Sequence, residues 1–168
     1  MSILNFATPV EAGLNEARWN AACRQLQAWC EDGTLPSATL IAGRGDSVVE
    51  PVIFGSQDLA RTQPVRGDAC FLVASITKPI VASAAQILVE RGQLVLSDKV
   101  IDFIPEFGRN GKNGVRIRHL MTHTSGLPDM LPENVELRES AAPLSAFVEG
   151  TCGCELEFSP GKGSKYQS

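Results

Sequence analysis

The 168-residue sequence predicts an α+β fold, in which a lobe that contains a β-sheet is joined to an all-helical lobe. Three patterns in chain order support this prediction: an N-terminal helix followed by a hairpin, one long apolar helix, and a cluster of short helices. We expect residues 1–74 to form part of the sheet-containing lobe, and residues 75–168 to form the long helix and the all-helical lobe.

The first lobe is predicted to begin with a helix that has Asn15 as its N-cap and Gly33 at its end. Apolar side chains recur at helical spacing between them and are expected to face a core: Trp19, Ala22, Cys23, Leu26, Trp29 and Cys30. Two strands, 37–42 and 47–54, follow around a hairpin loop at 43–46. A hairpin alone is marginal in water, so we expect the helix to cover one edge of the sheet.

The long apolar helix is predicted to run from Ser75 to Arg91, with Gly92 at the C′ position. Pro79 removes one N–H near the start of this helix, which a helix beginning at Ser75 tolerates better than one beginning upstream. Ser75 is therefore expected at the helix N-terminus, where free N–H groups and the helix dipole favour negative charge.

Three short helices are predicted in the second lobe. They cover residues 98–103, which end before Pro105, residues 116–122, and residues 143–149. The segment 110–114 is rich in glycine and asparagine and is expected to be a connector made of turns.

A serine and a lysine stand three residues apart in Ser75-Ile76-Thr77-Lys78, on one face of the long helix. This spacing lets the Lys78 ammonium lie beside the Ser75 hydroxyl, so the pair forms a candidate nucleophile and activator. The same spacing occurs in Ser159-Pro160-Gly161-Lys162, but Pro-Gly is a turn signal, and a turn does not stack a lysine over a serine. Ser159 is therefore expected to be a loop residue.

Several segments follow one another in an order and spacing that are typical of one superfamily. They are residues 71–78, residues 88–96, residues 118–127, and Pro160-Gly161 followed by residues 166–168. In these segments the sequence resembles the serine beta-lactamase and penicillin-binding-protein-like superfamily, which includes class C-type beta-lactamases, DD-peptidases and related esterases. The resemblance extends from about Trp19 to the last residue.

The resemblance implies that Ser75 is acylated, that Lys78 activates it, and that Tyr166 acts as general base and acid. The chemistry agrees, because a serine hydroxyl is a weak nucleophile unless a neighbouring group takes its proton. A nearby Lys78 ammonium would favour the Tyr166 phenolate, which could accept that proton. The backbone N–H of Ser75 would be one donor of an oxyanion hole.

The sequence departs from the family pattern near its last residue. Ser168 stands where the family usually has asparagine, although its hydroxyl can still hydrogen-bond to a substrate. The family normally continues with further helices, the remaining strands, one of which carries a glycine-containing site motif, and a final helix. We therefore expect a beta-lactamase-like fold with an antiparallel sheet lobe flanked by helices, an all-α lobe, and an incomplete sheet.

The sequence thus predicts a serine hydrolase that forms an acyl-enzyme and acts on a small molecule. The substrate could be a beta-lactam, a D-alanyl peptide or an ester. The alternative is a truncated or degenerate, non-catalytic chain that acts, if at all, as a binding or scaffold module. In that case an exposed sheet edge and uncovered apolar surface would favour self-association.

Composition and charge argue against other partners and locations. The net charge of −4 disfavours nucleic acid and anionic membrane surfaces. The longest apolar stretch, residues 80–89, is far shorter than the ~20 residues that span a bilayer. The N-terminal residues 1–9 lack the features of a secretory signal, and the odd number of cysteines, five, suits reduced thiols, so we expect a cytoplasmic protein.

Two patterns resemble partial metal sites but do not predict a metal centre. Cys152 and Cys154 offer two thiolates without a second pair of ligands. His119 and His123 are spaced i, i+4 and could present two ligands on a helix face, but the resemblance implies that they fix a helix end and a turn. The sequence therefore predicts no metal and no other cofactor.

Overall fold

In the computed structural model, which describes residues 4–167, the chain divides into two units with the boundary between Leu72 and Val73. Within the described residues the first unit contains one α-helix and five short strands. These elements are β1 (Asn5–Ala7), α1 (Glu16–Asp32), β2 (Ser37–Leu40), β3 (Gly43–Arg44), β4 (Ser47–Val49) and β5 (Val52–Gly55). The mixture of helices and sheets confirms the predicted α+β class.

Helix α1 has the predicted ends. The Asn15 side chain accepts a hydrogen bond from the Arg18 N–H at 3.0 Å, and Gly33 has φ of +89°, the left-handed conformation of a helix C-terminus. The helix packs on β2 and β5. Only Cys30 of its apolar stripe is buried, and Trp29 is 40% exposed, because the described sheet under this helix is only two strands wide.

The hairpin is present, but its predicted strand bounds were wrong. β2 pairs antiparallel with β5, from Ser37 opposite Gly55 to Leu40 opposite Val52. The pairing of β2 with β5 then stops at Pro51, the residue before β5, which has no N–H to donate to a ladder.

Beyond that break, β3 pairs antiparallel with β4, and β1 adds to β4 in parallel. Gly43 and Arg44, which were expected in the loop, therefore form a strand. The turn needs only Gly45 and Asp46, because Gly45 adopts a φ of +63° that suits a two-residue hairpin turn.

The second unit consists of helices and 3₁₀ turns within the described residues. Its α-helices are α2 (Thr77–Glu90), α3 (Ile117–Met121), α4 (Asn134–Glu139) and α5 (Leu144–Gly153). Its 3₁₀ turns are Ala74–Ile76, Val100–Asp102, Pro105–Gly108 and Lys112–Gly114. Among the described residues, no helix is long and apolar enough to cross a membrane.

Helix α2 follows the predicted course, except that its first turn is 3₁₀. Its C-terminus closes as a Schellman motif: the Gln93 N–H donates to the Leu88 carbonyl at 2.9 Å, and the Gly92 N–H donates to the Val89 carbonyl at 3.0 Å. Gly92 has φ of +67° and occupies the C′ position, as predicted. No side chain of this apolar helix is buried in the described structure.

The short helices match the predictions unevenly. α3 and the start of α5 are confirmed, whereas the helix predicted at 98–103 is only the 3₁₀ turn Val100–Asp102. The reason is local: the Asp98 carboxylate accepts the Val95 N–H at 2.8 Å, so it closes the preceding turn instead of capping a following helix. The six-residue helix α4 was not predicted, because so short a segment carries little periodicity.

The core of the second unit lies beneath these turns and includes a buried lysine. Its buried apolar members are Val100, Phe107, Val115, Leu127 and Cys152. Lys112 has no exposed surface, and its Nζ donates to the Cys152 carbonyl at 3.0 Å and also to the Cys154 carbonyl. These carbonyls end helix α5, so the ammonium meets the negative end of the helix dipole. Lys112 therefore ties the connector 110–114 to α5.

Candidate active site

Ser75 lies in the 3₁₀ turn that leads into α2, with its side chain exposed. The residue before it, Ala74, has φ of +45°, a left-handed conformation that is strained for a non-glycine residue. Within the described residues the Ser75 N–H donates to no backbone carbonyl. This N–H is thus available to a ligand beside the hydroxyl.

Lys78 lies in the first turn of α2 and is half-buried. Its Nζ donates to Ser75 Oγ at 3.4 Å, which is a long hydrogen bond. The helical backbone therefore brings the ammonium beside the hydroxyl, as the spacing predicts.

Tyr166 completes the cluster from 91 residues further along the chain. Its hydroxyl is 2.5 Å from Ser75 Oγ, and Lys78 Nζ is 4.8 Å from the centroid of its ring. The hydrogen bond with Ser75 and, next, that with Lys78 lower the pKa of the Tyr166 phenol, while partial desolvation and the charge of Asp129 oppose them. The arrangement can therefore pass a proton between the tyrosine and the serine.

The segment that carries Tyr166 is attached to the turn after α3. The Gly161 N–H donates to the Thr124 carbonyl at 2.8 Å, and Gly161 has φ of +77°. Further along, the Lys165 N–H donates to the His123 carbonyl at 2.9 Å. These backbone bonds bring Tyr166 to the N-terminal end of α2.

The second Ser-x-x-Lys segment forms a turn, as predicted. The Lys162 N–H donates to the Ser159 carbonyl at 3.0 Å, and Ser159 is exposed. Among the described residues, no hydrogen bond joins the two side chains.

The two histidines have different partners. His119 Nδ1 accepts the Arg116 N–H at 3.2 Å, and burial, followed by the charges of Arg118 and Arg116, lowers the pKa of His119. His123 Nδ1 accepts the Gln167 N–H at 3.2 Å. The sequence did not indicate that His123 also packs on the Tyr166 ring, because a contact between segments so far apart leaves no local pattern.

The structure says less about the other residues that the sequence analysis considered. Ser168, predicted to contact substrate, lies outside the described residues. Burial raises the pKa of the Cys152 and Cys154 thiols. Within residues 4–167 no group of three or more histidine, cysteine or acidic side chains could hold a metal ion.

A cavity of about 500 Å³ opens beside Lys78 between α2, α3 and the tyrosine segment. Apolar side chains line most of it, and its polar groups include Lys78, His123 and Gln167. No local pattern in the sequence indicated this cavity, because its walls come from segments that are far apart along the chain.

Comparison with known proteins supports the resemblance. The family model described as Beta-lactamase matches residues 19–168. Esterase EstB of Burkholderia gladioli is 34% identical over 149 residues, which cover 79% of this chain and 38% of EstB. Penicillin-binding protein 4* of Bacillus subtilis (strain 168) is 36% identical over 95 residues, which cover 56% of this chain and 20% of that protein.

A solved structure shares the fold. A penicillin-binding protein homologue from Caulobacter crescentus aligns with a TM-score of 0.69 at 25% identity, over 89% of this chain and 40% of that one. The chain thus spans less than half the length of each of these relatives. The predicted family and fold class are confirmed.

Proposed function

Because this chain belongs to the beta-lactamase family, we propose that it is the part of a serine hydrolase that carries the nucleophile, and that Ser75 forms the acyl-enzyme. The observation that carries this proposal is that two side chains, those of Lys78 and Tyr166, both reach the hydroxyl oxygen of Ser75. Ser75 Oγ lies 2.5 Å from the Tyr166 hydroxyl and 3.4 Å from Lys78 Nζ. A hydroxyl between a proton acceptor and a cation has the activation that an acyl transfer requires.

The proposed reaction begins with the Tyr166 phenolate, which the Lys78 ammonium stabilises. As Ser75 Oγ attacks the carbonyl carbon, the phenolate takes the hydroxyl proton, and the Ser75 N–H donates to the developing oxyanion. Tyr166 then gives that proton to the leaving amine or alkoxide as the scissile bond breaks. In the second half, Tyr166 takes a proton from water as the water oxygen attacks the acyl carbon. Tyr166 then gives this proton to Ser75 Oγ as the acyl–oxygen bond breaks, which restores the phenolate and the serine hydroxyl.

The substrate class follows from this chemistry. Attack by a serine splits a lactam, an amide or an ester, and the names of the relatives include an esterase and a penicillin-binding protein. The apolar cavity beside Lys78 suits a small molecule rather than a polymer that needs a charged groove. No catalytic step requires a metal.

We also propose that the protein associates with itself and that it is located in the cytoplasm. Each strand of the described β2–β5 sheet has one neighbour, so its free edges could pair with a second copy. The five cysteines are free thiols, which suits a reducing compartment such as the cytoplasm.

Intact-mass spectrometry after treatment with a fluorophosphonate or a penicillin tests the function. We expect one adduct, which is lost in Ser75→Ala and kept in Ser159→Ala, the matched control from the second Ser-x-x-Lys segment. An adduct that persists in Ser75→Ala would contradict the assignment of the nucleophile. No adduct from either reagent would contradict the hydrolase proposal and favour a non-catalytic binding or scaffold module.

A further inference from the structure

His123 contacts the segment around Tyr166 at three points. Its carbonyl accepts the Lys165 N–H at 2.9 Å, and its Nδ1 accepts the Gln167 N–H at 3.2 Å. These bonds hold the residues on either side of Tyr166. The imidazole also packs against the Tyr166 ring, with 4.7 Å between the ring centroids and 32° between the ring planes.

The backbone of His123 adopts an uncommon conformation. Its φ is +55°, in the left-handed region that non-glycine residues seldom occupy. Strain of this kind persists where the surrounding contacts hold it, and it is concentrated at functional sites. This conformation lets both the carbonyl and the ring nitrogen of His123 reach the segment 165–167.

Gln167 meets His123 Nδ1 with both its backbone and its side chain. Its N–H lies 3.2 Å from Nδ1, and its Oε1 lies 3.4 Å from the same nitrogen. Gln167 is held from the other side as well, because its Nε2 donates to the Leu127 carbonyl at 3.1 Å.

Tyr166 depends on such support, because it is 50% exposed while its hydroxyl lies 2.5 Å from Ser75 Oγ. A displacement of about 1 Å in a reacting group can cost on the order of 10²-fold in rate. We infer that His123 is a positioning residue, whose ring and Nδ1 hold the Tyr166 hydroxyl at the distance from Ser75 Oγ at which a proton can pass. The catalytic part of this inference rests on the proposed function, whereas the contacts of His123 do not.

Three variants separate the two side-chain contacts. His123→Phe keeps a ring and removes the acceptor, His123→Asn keeps an acceptor near Nδ1 and removes the ring, and His123→Ala removes both. We expect the rate of acylation to fall about 10–100-fold in the Phe and Ala variants and less in the Asn variant. In the first two, the tyrosinate absorption band of Tyr166 should also appear at higher pH, because the hydroxyl moves away from Ser75 and Lys78.

His119→Phe is the control for loss of a ring nitrogen, since His119 Nδ1 accepts the Arg116 N–H and, within the described residues, no side-chain hydrogen bond joins His119 to residues 165–167. We expect it to lower the melting temperature while leaving the tyrosinate titration unchanged. If the His123 variants lose only thermal stability, as this control does, the inference is wrong. If His123→Phe does not fold, His123→Asn still removes the ring, and asparagine tolerates the positive φ at this position, so its tyrosinate titration still tests the ring contact.

The two proposals can fail separately. A wild-type protein without any adduct would contradict the hydrolase proposal, while the tyrosinate titration of the His123 variants would still test the positioning. Tyr166→Phe identifies the band, because it removes the tyrosine that the titration follows.

Discussion

Two segments of this chain place a serine and a lysine three residues apart, but only one brings their side chains together. In the first, a helical backbone puts Lys78 Nζ 3.4 Å from Ser75 Oγ. In the second, the backbone turns, and the Lys162 N–H bonds to the Ser159 carbonyl instead. The difference shows that this spacing brings a lysine beside a serine only where the backbone continues as a helix.

The two segments also differ in which residue takes the left-handed conformation. In the turn that residue is Gly161, which adopts φ of +77° without a steric penalty. Beside the candidate nucleophile, Ser75, it is Ala74, which adopts φ of +45° at a cost. The strain therefore lies beside Ser75 and is absent from the turn of the same spacing.

The largest expected effect is on the acylation rate, when the lysine of each Ser-x-x-Lys segment is replaced by methionine. Lys78→Met should lower the rate of acylation by the fluorophosphonate about 10²–10⁴-fold, which is the usual contribution of a proton-transfer partner. Lys162→Met should change it less than about twofold, because among the described residues no hydrogen bond joins Lys162 to Ser75. Intact-mass spectrometry of samples quenched at successive times would measure both acylation rates. Equal falls in the rate for Lys78→Met and Lys162→Met would show that the two segments do not differ in this respect.

The same two variants should also differ in how the ionisation of Tyr166 and the acylation rate depend on pH. Hydrogen bonds with Ser75 and Lys78 lower the pKa of Tyr166, so loss of the Lys78 charge disfavours the phenolate and moves that pKa upward. The tyrosinate band and the rising limb of the acylation rate should both shift to higher pH, and Lys162→Met should shift neither. A tyrosinate titration identical to wild type in Lys78→Met would show that Lys78 does not act through Tyr166.

Replacement of a third lysine, Lys112, should lower the stability of the protein without lowering its acylation rate. Lys112→Met should lower the free energy of unfolding by about 1–3 kcal/mol, because the buried Cys152 carbonyl and the partly buried Cys154 carbonyl lose their donor. Glu157→Gln, which breaks an ion pair with exposed partners, should cost less than about 1 kcal/mol. Denaturant unfolding would compare them, and an acylation rate that fell in Lys112→Met under native conditions would contradict a purely structural role.

The smallest expected effect concerns the strain at the nucleophile. Ala74→Gly should raise the free energy of unfolding by about 0.5–1 kcal/mol, because glycine adopts a positive φ without strain. Ala84→Gly, in the middle of α2, should lower it by a similar amount. Denaturant unfolding of both variants gives the signs, and a loss of stability in Ala74→Gly would show that the conformation of Ala74 carries no strain.

Short-range features of this molecule could be predicted well, as particular residues show. Asn15 caps α1, Gly33 and Gly92 end α1 and α2, and these outcomes depend on the residue type and its own φ. Where local rules competed, the predictions were wrong: the Asp98 side chain closes the turn before it, and Pro51 interrupts a strand that the apolar pattern continued. Strand bounds and short helices are decided by such competition.

The sequence by itself determined that Ser75 and Lys78 share a helix face, because residues three apart on a helix are neighbours whatever the rest of the chain does. The family resemblance, rather than any local pattern, pointed to Tyr166. Only the tertiary structure decided that Tyr166 reaches Ser75 across 91 residues and that His123 holds it there. Such contacts depend on loops closing between distant segments, and no single stretch of residues encodes that closure.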